Sequence, residues 1–191
     1  MAKFRSRLGV LLLLAGGLPV LGIWIYWKWE GRLERSQDTR ILRASQRYGV
    51  SPELVKAVVW RESHFNVLAR GGAGELGLMQ LREDAAREWA DAERLDAFDH
   101  EHCLDPMTNL LAGTYYLGKL LLRFRDADDP RAYALAAYNA GRSNALKWNT
   151  GAAATNSSVF LEQIGFPSTR AYVVTVLERT ARYQRDFPKQ R

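Results

Sequence analysis

In "VVWRESHFNVLARGGAGELGLMQL", residues 58–81, an apolar helical run ends on Glu62. Gly71, Gly72, Gly74 and Gly77 then interrupt the chain before a short apolar segment delivers one amide, Gln80. A carboxyl in the last turn of a helix meets the partial negative charge of that helix end, and apolar neighbours withhold water from it. Both effects favour the protonated form, which is the direction a general acid at neutral pH requires. Arg61 is next in the chain, and adjacent helical residues point apart. Position alone describes equally well a solvated glutamate at a helix end. The loop shifts that balance, because glycines permit backbone conformations and close ligand approach that a Cβ resists. A flexible linker rarely closes on an apolar run with a lone donor and acceptor such as Gln80.

The elements that must hold these groups read as helical throughout. "DTRILRASQRYG" ends at Gly49, suited to the residue after a helix, and "SPELVKAVVWRESHF" opens with Ser51 as N-cap and Pro52 at the first helical position. Leu54, Val55, Val58 and Val59 fall on one face, so this second helix should face the core. Beyond the glycines, Glu83 to about Leu95 predicts a helix, and a strongly apolar one starts near Asp105 or Pro106. "PRAYALAAYNAG" and "SNALKW" predict two short helices broken at Gly141, and "TGAAATNSS" predicts a loop. "STRAYVVTVLERTARYQRDF" predicts a last long helix capped by Ser168 or Thr169. No stretch alternates with period two between turn signals, so sheet should be minor or absent. The expected class is all-α with a buried central helix.

The chain of 191 residues divides by composition. Residues 1–7 carry Lys3, Arg5 and Arg7, and residues 8–27 follow without a charge, long enough to cross a bilayer as a helix. A basic start before an apolar run also describes a cleaved signal sequence. The length of the run and the absence of a small-x-small cleavage site favour an uncleaved anchor. Trp24, Tyr26, Trp27 and Trp29 cluster at its far end like an interfacial belt. Residues 28–37 are charged and read as a stalk, leaving 38–191 as the globular domain. That domain is large enough to bury a core unaided.

Three of the +6 net charges sit before the apolar run, and the remaining +3 is scattered, which gives no case for nucleic acid. Cys103 has no partner for an internal disulfide and reads as a small buried hydrophobe. "DHEHCLD", residues 99–105, gathers candidate metal ligands, but its spacing matches no zinc pattern and favours a polar inter-helix loop. "ILRASQRYGVSPELVKAVVWRE" scans as a helix-turn-helix, yet its second helix is too apolar to read bases.

Four ordered motifs, "ESHFNVLARGGAGELGLMQL", "LDPMTNLLAGTYYL", "ALAAYNAG" and "STRAYVVTVL", resemble those of the soluble lytic transglycosylase (SLT) domain, a lysozyme-like fold that cleaves peptidoglycan. The resemblance covers about residues 38–186. It implies a single catalytic acid at Glu62, and substrate contacts from Ser63, Met79, Gln80, Tyr138, Asn139 and Tyr172. It implies a reaction without metal or cofactor, a 1,6-anhydro sugar as product, glycan strands as partner, and a site outside the cytoplasm in the bacterial cell envelope. A hydrolytic muramidase and a peptidoglycan-binding scaffold without turnover are the alternatives. Gly71 stands where the family often has serine, Val67 and Glu83 where it has proline, and Ser168 where it has glutamate.

Overall fold

A computed structural model describes Trp24, Lys28 and residues 31–186. The chain falls into two compact units, Met1–Gln37 and Asp38–Arg191. In the first, residues 31–35 are helical. The expected anchor, residues 8–27, lies outside the described residues except for Trp24. Among the described residues no helix is long and apolar enough to cross a membrane.

The second unit is built from helices α1 (Asp38–Tyr48), α2 (Pro52–Ser63), α3 (Glu83–Ala92), α4 (Pro106–Arg123), α5 (Pro130–Ala140), α6 (Arg142–Trp148), α7 (Ser157–Gln163) and α8 (Pro167–Asp186). Short 3-10 turns span His100–Leu104 and Gly151–Ala154. Local chemistry sets most starts. The Ser51 side chain accepts from Leu54 N–H and the Asp105 side chain from Thr108 N–H, each just before a proline at the first helical position. Among the described residues there is no strand. The two isolated bridges, Arg70 to Leu76 and Leu76 to Leu81, both lie in the glycine loop.

The helix buried on all sides is α5, where Ala132, Tyr133, Ala134, Leu135, Ala136 and Ala137 are each 1% exposed or less. Its alanines allow close approach, and α4, α6, α7 and α8 all pack on it. The longer, more apolar α4 stays at the surface and exposes Leu122. Helix α2 packs on α8. These two contacts bring the ends of α2, α5 and α8 together although the helices are far apart in sequence.

Three boundaries depart from the sequence pattern. Helix α3 stops at Ala92 instead of Leu95, because Arg94 turns to φ 58° while Leu95 N–H bonds back to Ala90 O. The stretch expected as a loop after Thr150 folds into a 3-10 turn and α7, whose N-cap Asn156 accepts from Ser158 and Val159 N–H. Seven residues are too few to show periodicity. What fixes α7 is Phe160, fully buried and stacked on Tyr133 with ring centroids 4.0 Å apart. Neither Ser168 nor Thr169 caps α8. The helix begins at Pro167, and Arg170 N–H already bonds to Phe166 O.

Candidate active site

Helix α2 ends abruptly one residue beyond Glu62. His64 and Phe65 adopt left-handed backbone, with φ 49° and 64°, and His64 N–H closes on Trp60 O. Two non-glycine residues in that region cost on the order of 1 kcal/mol each. Phe65 offsets this by burying its ring to 2% exposure. Glu62 is thereby held in the final turn, half-buried at the edge of a cleft of about 460 Å³ that Gln80, Tyr138 and Asn139 also line.

Burial lifts the Glu62 carboxyl from its ordinary 4.5 to about 7. The Tyr172 hydroxyl, donating to Glu62 Oε1 at 2.7 Å, works the other way, as does the Arg61 charge, while Glu75 adds a further upward push. Arg61 is therefore not neutral toward the acid. Its guanidinium lies 5.4 Å from the centre of the Tyr172 ring and still reaches Glu62 electrostatically, but desolvation outweighs it. The Tyr172 pKa is raised well above 10, first by burial and then by Glu62, so the phenol remains a donor.

Replacing Tyr172 by phenylalanine removes a bond that stabilises the ionised carboxylate, so the Glu62 pKa is expected to rise above 7. The alkaline limb of any reaction needing the protonated acid should move to higher pH. The maximal rate should fall about tenfold, as orientation is lost with one hydrogen bond. A pH profile of the Tyr172→Phe variant reads both effects. A limb displaced downward would contradict the assignment of the hydroxyl as donor.

The structure separates the expected residues into two layers. Glu62, Gln80, Tyr138 and Asn139 line the cleft, whereas Ser63, Met79 and Tyr172 stand behind its wall. Ser63, Met79 and Tyr172 were expected at the sugar and are buried instead. The Ser63 hydroxyl lies 2.8 Å from Leu78 O and 3.1 Å from Val59 O, which ties α2 to the loop. The Met79 side chain fills the space left by the missing Cβ of Gly113, and only its backbone serves the site, since Met79 O accepts the Tyr138 hydroxyl at 2.7 Å. Tyr172 is 1% exposed and meets Glu62 from within the core. Asn139 does not cap its helix. Its Oδ1 accepts the buried Thr169 hydroxyl at 2.8 Å, a contact from α5 to α8, and among the described residues Nδ2 has no acceptor.

The glycine loop is tightly bonded. Gly71 N–H meets Glu75 O and Gly77 N–H meets Ala69 O, both at 2.8 Å, and Leu76 and Leu81 exchange a pair of bonds at 3.0 Å. Gly77 has φ 72°, and a Cβ there would collide with Asn109 and with Cys103 O, so both conformation and space call for glycine. Asn109, fully buried on α4, accepts Met79 N–H and donates to Leu76 O and Cys103 O, each at 2.8 Å. Gln80 sits at φ 46°, its Nε2 donating to Gly77 O and Ala69 O. The amide oxygen is left toward the cleft.

"DHEHCLD" completes this support and holds no metal cluster among the described residues. Asp99 and His102 form a capping box, His100 Nε2 lies 2.9 Å from Leu81 O, and Glu101 binds Arg70 through two oxygens. Burial pushes the Cys103 thiol up to about 12, which leaves it inert. Sequence reasoning gave no part in the site to Asn109 or to Thr169, which it read only as a candidate helix cap, or to Tyr116 and Glu75, which line the cleft. Of these, only Glu75 carried a signal, as the lone charge within the glycine run.

The model of the transglycosylase SLT domain family matches residues 40–161, most of the second unit and the whole of this site apart from α8. The chain belongs to the transglycosylase SLT domain family. As a member, this SLT chain is 40% identical over 104 residues to the membrane-bound lytic murein transglycosylase F of Desulfosudis oleivorans, a match covering 53% of it and 21% of that protein. It is 32% identical over 130 residues to the soluble lytic murein transglycosylase of Escherichia coli, covering 67% of it and 20% of that protein. Its fold matches an inactive glutamate-to-glutamine mutant of the lytic transglycosylase Slt from Pseudomonas aeruginosa with TM-score 0.73 and 28% identity, over 83% of this chain and 26% of that one. The SLT chain thus spans only about a fifth to a quarter of these relatives' lengths.

Proposed function

We propose that the protein is a lytic transglycosylase that cleaves the β-1,4 bond between N-acetylmuramic acid and N-acetylglucosamine in peptidoglycan, with Glu62 as acid and then base. The observation that carries this reading is one half-buried carboxyl, pKa about 7, at the edge of an open cleft and held by a buried tyrosine hydroxyl. A pKa near the working pH lets one group both release and recover a proton. Glu62 gives its proton to the glycosidic oxygen as the bond to C1 of the muramic residue breaks. The C6 hydroxyl oxygen of that same residue then bonds to C1, and the Glu62 carboxylate takes the hydroxyl proton. The products are a 1,6-anhydro end and a free 4-hydroxyl on the neighbouring sugar. Gln80, Tyr138 and Asn139 bind the strand, while Ser63, Met79 and Tyr172 hold the wall behind them. No metal or cofactor takes part.

Membership of the SLT family and the names of the relatives support the reaction class. An envelope location follows from the substrate, with residues 38–191 as the catalytic domain, 28–37 as stalk and 8–27 as membrane anchor. The division of the chain at Gln37 and the uncharged run 8–27 support that layout.

Incubated with purified peptidoglycan sacculi, the full chain is expected to release muropeptides ending in 1,6-anhydro-N-acetylmuramic acid, lighter by one water than hydrolytic products in mass spectra. Reducing ends would make the protein a hydrolytic muramidase. Bound but intact sacculi would make it a scaffold.

A further inference from the structure

Gly71 marks a second polar feature of the cleft. A Cβ on this residue would lie inside 3.0 Å of both Glu75 Oε2 and Gln80 Oε1, so two acceptor oxygens converge on the space the glycine leaves open. Both side chains are half-buried and both line the cleft with Glu62. Each is fixed by the loop. Ala73 N–H donates to Glu75 Oε2 at 3.0 Å, and the Gln80 amide is turned by its two bonds from Nε2 to backbone carbonyls, which points its oxygen at Gly71. Among the described residues no protein donor reaches Gln80 Oε1. Two acceptors aimed at one point with no shared donor between them are unfavourable unless a donor arrives from outside.

We propose that Glu75 is a substrate-binding residue, and that its carboxylate and Gln80 Oε1 together accept a hydroxyl or amide N–H of a sugar in the cleft beside Glu62. This rests on the reading of the cleft as a glycan site and adds to it the group that fixes one sugar's position. Glu75 lines the same cleft as Glu62 and acts on it electrostatically, as do Tyr172 and Arg61, while Glu62 in turn raises the Tyr138 pKa from across the cleft wall. A donor held between Glu75 and Gln80 therefore lies in the same cleft as the proposed acid. Glycine at 71 is what lets both oxygens come this close to the backbone: the Gly71 φ lies outside the left-handed region, and only the clearance toward Glu75 and Gln80 requires the missing Cβ.

The test uses the full chain with Glu75→Ala, Glu75→Gln, Gly71→Ala and the Gly71→Ala/Glu75→Ala double variant. The two oxygens that a new Cβ at 71 would meet inside 3.0 Å are ends of flexible side chains, and Glu75 Cβ at 3.0 Å has only to shift slightly, so Gly71→Ala should stay folded with a melting temperature lowered by at most a few degrees while displacing the carboxylate. Binding of an N-acetylglucosamine oligomer, measured by calorimetry in the Glu62→Gln background, should weaken about tenfold in Glu75→Ala, as expected for losing a hydrogen bond to a charged group. Gly71→Ala should match it, the double variant should be no weaker than either single one, and Glu75→Gln should retain most of the affinity through its remaining acceptor. On sacculi, with Glu62 intact, the same change should raise KM and leave kcat within about threefold. Wild-type affinity or KM in Glu75→Ala, losses that multiply in the double variant, or no oligomer binding by the parent Glu62→Gln protein would each overturn the inference. Sacculi left uncut by wild-type protein that still binds the oligomer through Glu75 would instead overturn the cleavage reading alone.

Discussion

Glu62→Gln is expected to abolish glycan cleavage and, above neutral pH, to make the folded protein more stable. The amide keeps the shape and the bond from Tyr172, but it can neither give nor take the proton, so muropeptide release should fall roughly 1,000-fold or more. The stability gain follows from linkage. The folded-state pKa of about 7 lies above the ordinary 4.5, so the folded protein binds the Glu62 proton more tightly than the unfolded chain does. That contribution is fully present below pH 4.5 and is lost as pH rises through 7. The carboxylate left in the cleft edge at pH 8 then costs on the order of 2–3 kcal/mol relative to a neutral group. Melting temperatures of the two proteins should converge near pH 4 and differ by roughly 5–10 °C at pH 8, the variant being the higher. A constant difference across pH would mean that Glu62 titrates alike in both states. In wild type, kcat/KM should fall above about pH 7 as the acid form is lost.

Asn109→Ala is expected to cost a large part of the protein's stability although the residue never touches the cleft. Three bonds of 2.8 Å run from this one buried amide to Met79 N–H, Leu76 O and Cys103 O. Leu76 O keeps its bond from Leu81 N–H, but Met79 N–H loses its acceptor in a fully buried place. An orphaned buried donor, two lost carbonyl contacts and a small cavity together cost about 3–4 kcal/mol. Thermal denaturation should show a drop of roughly 10 °C. Activity should fall with it even where the protein stays folded, because Met79 O anchors Tyr138 and the next residue is Gln80. Asn109→Asp retains the acceptor but loses both donors and buries a charge, and should rescue neither property. Unchanged melting would show that the loop holds its shape without α4.

The glycine loop and α2 illustrate a division of labour between stability and function. His64, Phe65 and Gln80 occupy left-handed backbone, and Glu62 is held in a setting that disfavours its charge. The offsetting groups lie one layer back, in Ser63, Asn109, Tyr172 and the Thr169 contact to Asn139. The residues facing the cleft with a proposed role are therefore few. Those that hold them are buried, and their polar groups are spent within the protein.

Much of this was legible in the chain itself. Ser51 with Pro52, the Asp105-Pro106 pair, Gly49 and Gly141 mark helix ends, because caps and φ preferences act over four or five residues. The unusual setting of Glu62 at the edge of a glycine run, and Gln80 beyond it, could be read for the same reason. Local sequence could not place Ser63 and Met79 behind the cleft wall, since a motif position fixes a residue's place along the backbone and not the layer into which its side chain packs. Nor could it foresee α7, whose seven residues are stabilised by stacking on Tyr133. Tyr172 reaching Glu62 across 110 positions, Thr169 turning Asn139, Asn109 fastening the loop and Glu75 entering the space at Gly71 all depend on which faces of α2, α4, α5 and α8 meet. The sequence determined most of the helices and the place of the Glu62 carboxyl at a helix end. Only their packing determined that the acid is desolvated and held beside acceptors of its own loop, because burial and long-range hydrogen bonds exist only once the helices have closed on one another.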